Sequence, residues 1–197
     1  MRLDHATAMR DQLRRCVAGV MRAAQLGELP LFAWTLGLPQ DGLLGLLNDL
    51  FPEIGELEPV APARYAALTR AAPRDLGELA RWLFAQRSPH VALRDAHALA
   101  CTVAAASFGN RHLWADLDLP DRESLDALLE FHFPPLVARK PATVRWKRFL
   151  FAELGGSRGD PGLLPPGCVA CDEFSACRAT PSPPSHHERV LAVQQKL

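Results

Sequence analysis

Apolar residues recur along most of this chain at intervals of three and four and almost nowhere at intervals of two, a pattern that predicts helices rather than strands. Leu3 to Leu26 reads as a first helix. Gln40 or Asp41 can cap a second, in which Leu43, Leu46, Leu47 and Leu50 form the buried stripe and Phe51-Pro52 the stop. Arg74 to Gln86 repeats the pattern with Leu76, Leu79, Ala80 and Leu83 turned inward. Leu93 to Phe108 is rich in alanine, which favours helix and lets neighbouring helices approach closely, and Gly109-Asn110 supplies a stop. Ser124 to Phe133 carries Leu125, Leu128 and Leu129 as far as Pro134-Pro135, and Val144 to Leu154 closes the ordered part. The prediction is an all-α, compact bundle-like domain of about six or seven helices over residues 1–154. A cysteine-bearing loop and a flexible tail are predicted to follow over 155–197, with Pro181-Ser182-Pro183-Pro184-Ser185 as a linker and a short helix from His186 to Leu197. No internal repeat is evident.

Charge narrows the functions open to such a domain. Lys and Arg number 22 and so do Asp and Glu, so the formal charge is zero and a broad nucleic-acid footprint is not expected. The start Met1-Arg2-Leu3-Asp4-His5 has an early acid and no apolar run after it, which predicts neither a signal peptide nor a membrane span, and hence a cytoplasmic protein. The length fits one domain able to bury a core without covalent help. There is no glycine-rich phosphate loop, no nucleophile elbow and no H-E-x-x-H helix, so conventional catalysis is not indicated.

The chemistry is expected instead at Cys168, Cys171 and Cys177, a C-x2-C-x5-C run among five cysteines in all. In a reducing compartment such a cluster points to metal, redox or regulatory chemistry rather than to disulfides. The segments Gly155-Gly156-Ser157-Arg158-Gly159-Asp160-Pro161-Gly162 and Pro165-Pro166-Gly167 read as a non-helical cradle that can fold around an inorganic centre. Asp172-Glu173, between the cysteines, reads as tuning local charge, because adjacent side chains in an extended loop diverge.

Three further segments occur in a fixed order ahead of that cluster. They are Gly109-Asn110-Arg111-His112-Leu113-Trp114-Ala115-Asp116-Leu117-Asp118-Leu119, then His132-Phe133-Pro134-Pro135-Leu136 with Ala138-Arg139, then Val144-Arg145-Trp146-Lys147-Arg148-Phe149-Leu150-Phe151. Together they resemble the nitrogen-fixation NifQ family, whose pattern runs H-L-W-x-D-L-x-L, H-F-P-x-L, M-x-W-K-K-F-x-Y and then a cysteine cluster. The resemblance extends from about Leu31 to Cys177. It implies a carrier, not an enzyme, holding an iron–sulfur cluster that contains molybdenum. It also implies nitrogenase cofactor-assembly proteins as partners and molybdenum or molybdate as cargo. The family's cluster resembles C-x4-C-x2-C-x5-C, and five residues before Cys168 stands Leu163, so the first cysteine is absent here. Gly155 and Ser107 also stand where relatives are expected to carry cysteine.

Three cysteines are enough for one class of centre. In a cubane of molybdenum, three irons and four sulfides, each iron needs one protein thiolate while molybdenum can be completed by oxygen, imidazole or a partner's ligand. A four-iron cubane or a closed zinc site would need a fourth protein ligand, which His186, His187, Cys16 or Cys101 could provide. An open position suits a centre that hands its metal on. The rival reading is a helical interaction protein whose three cysteines bind structural zinc or no metal.

Other candidates each carry two readings. His97 and Cys101 share a helix face at ligand spacing, or are simply a core cysteine and a satisfied histidine. His112 can contact the centre or molybdate, or cap backbone carbonyls. Arg139, Lys140, Arg145, Lys147 and Arg148 run without an acid until Glu153, either as a solvated face or as a surface for anions. In the second case Arg145 and Arg148, one turn apart, bind the anionic cluster, molybdate or an acidic partner, with Trp146 and Phe149 facing the core.

Overall fold

The computed structural model describes residues 2–160 and 162–170. Among them the chain is all-helical. α1 (Arg2–Gln25) buries Leu13, Cys16, Val17, Val20 and Ala24 at the three-and-four spacing that defines one helix face. α4 (Arg74–Ala85) does the same with Leu76, Leu79 and Leu83. Between these two lie a 3-10 turn over Leu31–Thr35, α2 (Gln40–Leu50), a 3-10 turn over Pro52–Ile54 and α3 (Pro62–Ala71). At the centre is α5 (Leu93–Ala106), in which every residue from Ala98 to Ala106 is buried. Alanine is what permits this: with little side chain to accommodate, α1 and α4 both close directly on α5.

Four shorter elements complete the domain: α6 (Leu113–Asp116), α7 (Arg122–His132), α8 (Pro134–Arg139) and α9 (Trp146–Ser157). α7 is opened by Asp121, whose carboxylate accepts the Ser124 N–H at 2.7 Å. Phe133, Phe149 and Phe151 are fully buried beneath these helices. Phe108 meets Phe32 and Phe151 edge to face, with ring centroids 5.5 and 5.6 Å apart, tying the end of α5 to α9.

The structure corrects several boundaries. Nine α-helical segments are present among the described residues instead of six or seven, because α3, α6 and α8 are short and carry little apolar periodicity. Neither Gln40 nor Asp41 caps α2; Pro39 holds that position, and its carbonyl accepts the Leu43 N–H at 2.9 Å. Pro134-Pro135 ends α7 but also opens α8, since the fixed φ of proline suits the first helical turn. α9 runs through Gly155 and Gly156 to Ser157, so the start of the expected non-helical cradle is helix.

His132, inside the second of the three family-like segments, is a core residue. It is 1 % exposed, its Nδ1–H donates to the Leu128 carbonyl at 2.9 Å, and its own carbonyl accepts the Ser88 N–H at 2.7 Å. Burial pushes its pKa below the ordinary 6.5, against the Leu128 bond and the nearby Asp95 charge.

Two outcomes follow from this packing. As pH falls below about 6.5 the unfolded imidazole takes up a proton that folded His132 refuses, so the unfolded state binds more protons and stability drops. His132→Asn should flatten that segment of the stability–pH curve, as read by urea unfolding at stepped pH; an unaltered slope would refute the linkage. At Gly109 an added Cβ would lie 2.3 Å from Asp116 Oδ2 and 2.4 Å from Leu29 Cδ2. Gly109→Ala should therefore cost about 1–3 kcal/mol by overpacking, measured as a lowered denaturation midpoint.

Candidate metal centre

The candidate site begins where α5 runs out. The Ser107 hydroxyl donates to the Val103 carbonyl at 2.7 Å and the chain turns at Gly109-Asn110, where the tight space left by Asp116 and Leu29 requires glycine. α6 then carries Asp116 back under that turn. Its side chain is fully buried, and a carboxylate so placed must be matched by cations. Two are supplied. Lys147, from the first turn of α9, reaches Asp116 Oδ2 and donates to the Gly109 carbonyl at 2.7 Å. Arg111 meets Asp116 Oδ1 at 3.0 Å and Glu28 at 3.2 Å.

The cysteine segment returns to this network. After α9, Asp160 N–H donates to the Gly155 carbonyl at 2.8 Å and Leu163 N–H to the Asp160 carbonyl at 3.2 Å, folding the chain back on the helix end. A 3-10 turn over Pro166–Ala170 follows, closed by Cys168 N–H to the Pro165 carbonyl at 3.0 Å. Gly167 is buried so tightly on the Gly109-Asn110 turn that an added Cβ would lie 2.5 Å from the Gly109 carbonyl oxygen and 2.9 Å from Asn110 Oδ1. Cys168 is thus a half-buried thiol seated on the helical domain. Burial lowers the pKa of Lys147 from its usual 10.5, while the negative charges of Asp116 and Cys168 act to raise it. The ammonium and the Cys168 turn meet at one atom, the Gly109 carbonyl oxygen.

Other candidate residues are dispersed. His112 is half-buried at the start of α6, its ring stacked on Trp114 with centroids 6.3 Å apart and planes 18° apart. Arg145 stands exposed before α9, whereas Arg148 is buried at 8 % exposure; Trp146 and Phe149 are both buried. Arg139 pairs with buried Glu153 at 3.4 Å and with Gln86 at 3.0 Å, and Lys140 lies over the Trp146 ring at 4.9 Å. The cations from Arg139 to Arg148 are thus shared among several environments. Exposed His97 lies with Nε2 3.8 Å from Cys101 Sγ and packs edge-on against Phe84. Burial pushes the thiols of Cys101 and Cys16 up to about 12, leaving both as protonated core residues.

Cys171, Cys177, Asp172, Glu173, His186 and His187, with the linker and terminal helix expected after them, lie outside the described residues. Among the described residues no three His, Cys, Asp or Glu side chains converge as a metal site. Of the three positions expected to hold cysteine in relatives, Ser107 is buried at the C-terminal end of α5, and Gly155 and Leu163 touch each other. A Cβ at Gly155 would lie 2.8 Å from Leu163 Cβ and 2.1 Å from the Asp160 carbonyl oxygen.

Asp116, Lys147 and the Gly109-Asn110 turn were each named in the sequence, but not as the network that receives Gly167. A signal was there for Asp116, a charge between Ala115 and Leu117 in an apolar run that folds inward, whereas Lys147 stands between Trp146 and Arg148 in a basic run. Such charges need partners, but nothing in the sequence pairs two residues 31 positions apart.

Comparison with known proteins supplies the remaining identification. The NifQ family model matches residues 16–179. Protein NifQ of Azotobacter vinelandii is 30 % identical over 175 residues, 84 % of this chain and 82 % of that protein. Protein NifQ of Rhodobacter capsulatus is 37 % identical over 89 residues, 45 % of this chain and 49 % of that protein, so this match spans only about half of the relative. A Protein NifQ homolog of Sinorhizobium fredii is 31 % identical over 151 residues, 72 % of this chain and 59 % of that protein. No solved structure matches. With most of its length matched by the family model and by the Azotobacter protein, this chain belongs to the NifQ family.

Proposed function

We propose that this chain is a cytoplasmic carrier. It holds an iron–sulfur cluster containing molybdenum on Cys168, Cys171 and Cys177, and supplies molybdenum to the proteins that assemble the iron–molybdenum cofactor of nitrogenase. Molybdenum, taken up as the metal or as molybdate, is cargo rather than a resident cofactor. The observation that carries this reading is the seating of Cys168. A family member's cysteine segment is held by close backbone contact against the helical domain, beside a buried cation. Thiolates are the ligands such a cluster requires, and a neighbouring positive charge favours them. Residues 1–154 then act as the platform and 155–197 as the cluster-binding part. His112, next to the Gly109-Asn110 turn in sequence, is the candidate to complete molybdenum's coordination, and Arg145 and Arg148 are candidates to balance anionic charge at the cluster or a partner. No described helix is long and apolar enough to cross a membrane.

The remaining cysteines support the same division of labour. Cys16 and Cys101 lie buried with strongly raised pKa values, unsuited to ligation without rearrangement of the core. Three thiolates satisfy three irons and leave molybdenum with positions that a receiving protein can take over, which is what delivery needs.

Replacing Cys168, Cys171 or Cys177 singly by serine should abolish iron and molybdenum retention in anaerobically purified protein while helical circular dichroism stays at the parent's level. Zinc, or no metal, in the parent would favour the interaction-module reading, and unchanged metal in all three variants would refute the assignment. Leu163→Cys, five residues before Cys168, should raise the iron retained under chelator and slow molybdenum transfer by closing the open position. Identical retention and transfer would put that position out of reach of the metal.

A further inference from the structure

Resting on the carrier reading, we propose that Lys147 is the positioning residue of the centre. Its buried ammonium, fixed by Asp116 and the Gly109 carbonyl, seats the Cys168 turn on the helical domain and places a positive charge beside the thiolate that the cluster uses.

One oxygen joins the lysine to the cysteine turn. The Gly109 carbonyl receives Lys147 Nζ at 2.7 Å and is also the atom against which Gly167 is packed, 2.5 Å from where a Cβ would stand. Ammonium, carbonyl and the residue before Cys168 therefore form a single contact. Charge reinforces it once Cys168 is a thiolate, because the ammonium then faces a negative sulfur across that contact. An ammonium has three N–H donors. Among the described residues, Lys147 donates to Gly109 and Asp116.

Burial gives Lys147 its leverage. Its side chain is only 12 % exposed, whereas Arg145 is open to solvent. A charge at an effective dielectric of about 20 acts about four times more strongly than the same charge in bulk water, and salt screens it less. Asp116 holds the lysine in place from below and is itself braced by Arg111, so the ammonium cannot swing away without exposing a buried carboxylate.

The test uses the full chain in metal-free and metal-loaded forms. Lys147→Met alone leaves Asp116 short of a cation and can unfold the domain, so the informative variant is Lys147→Met with Asp116→Asn, which removes both charges together. In metal-free protein with parental circular dichroism, hydrogen exchange at the Cys168 N–H should speed up at least about tenfold, the equivalent of one lost charge-assisted contact. After loading, the variant should release iron and molybdenum to a chelator correspondingly faster. Against an Asp116→Asn reference, which keeps the ammonium, the double variant's centre should have a more negative reduction potential, because only the cation differs between them. Parental exchange at Cys168 would overturn the proposal. Faster exchange with an unshifted potential would reduce Lys147 to a mechanical brace and overturn its electrostatic part. A parent that binds neither iron nor molybdenum would refute the carrier reading instead, while the exchange experiment would still decide whether Lys147 seats the turn.

Discussion

A carboxylate with no access to water is tolerated in a protein interior only if cations and donors surround it, and Asp116 imposes that requirement here. Meeting it brings three distant parts of the chain together: Lys147 from α9, Arg111 from the turn after α5, and Glu28 from the end of the α1 connection through Arg111. Once those parts converge, the Gly109 carbonyl is held where Gly167 can pack against it. The placement of Cys168 is thus downstream of an electrostatic demand made by a residue that need not touch metal at all.

The alanine-rich α5 transmits this arrangement through the domain. At its first turn Asp95 takes Arg10 from α1 and lies near buried His132, and at its far end Gly109 takes Lys147. Some 14 residues of helix separate the two ends, roughly 20 Å at 1.5 Å per residue. The three segments that mark the family therefore divide their work. The histidine of H-F-P packs into the core at the end of α5 remote from the cysteine, whereas the segments beginning Gly109 and Val144 meet at the end that receives it. A histidine in such a segment is easily taken for a ligand; this one holds two backbone partners and is buried in the core.

The long helices were readable because their apolar spacing is regular: α1, α2, α4, α5 and α7 lie close to where periodicity puts them. α3 buries Tyr65 and little else, so its pattern is faint, and its Tyr65 hydroxyl bond to the Leu38 carbonyl depends on tertiary placement. α8 is masked by prolines, which stop one helix and start another with the same ring. In the site, Cys168 was legible from the thiol spacing, while Lys147 was visible only as one cation in a basic run. Local composition cannot distinguish it from Arg145, because the difference lies in which of them α9 turns toward Asp116. Cys171 and Cys177, outside the described residues, are read from the same thiol spacing.

The meeting of Gly155 and Leu163 has a historical consequence. Bulk at one position is available only at the expense of the other, because a side chain on residue 155 would collide with both Leu163 and the Asp160 carbonyl. Two sites joined in this way do not drift independently: a lineage that enlarges residue 155 must reshape the chain between 160 and 163 in the same step or pass through a poorly packed intermediate. Leucine at 163 over glycine at 155 is therefore one packing arrangement rather than two independent choices, and a thiol at each position would require that whole corner of the protein to be rebuilt.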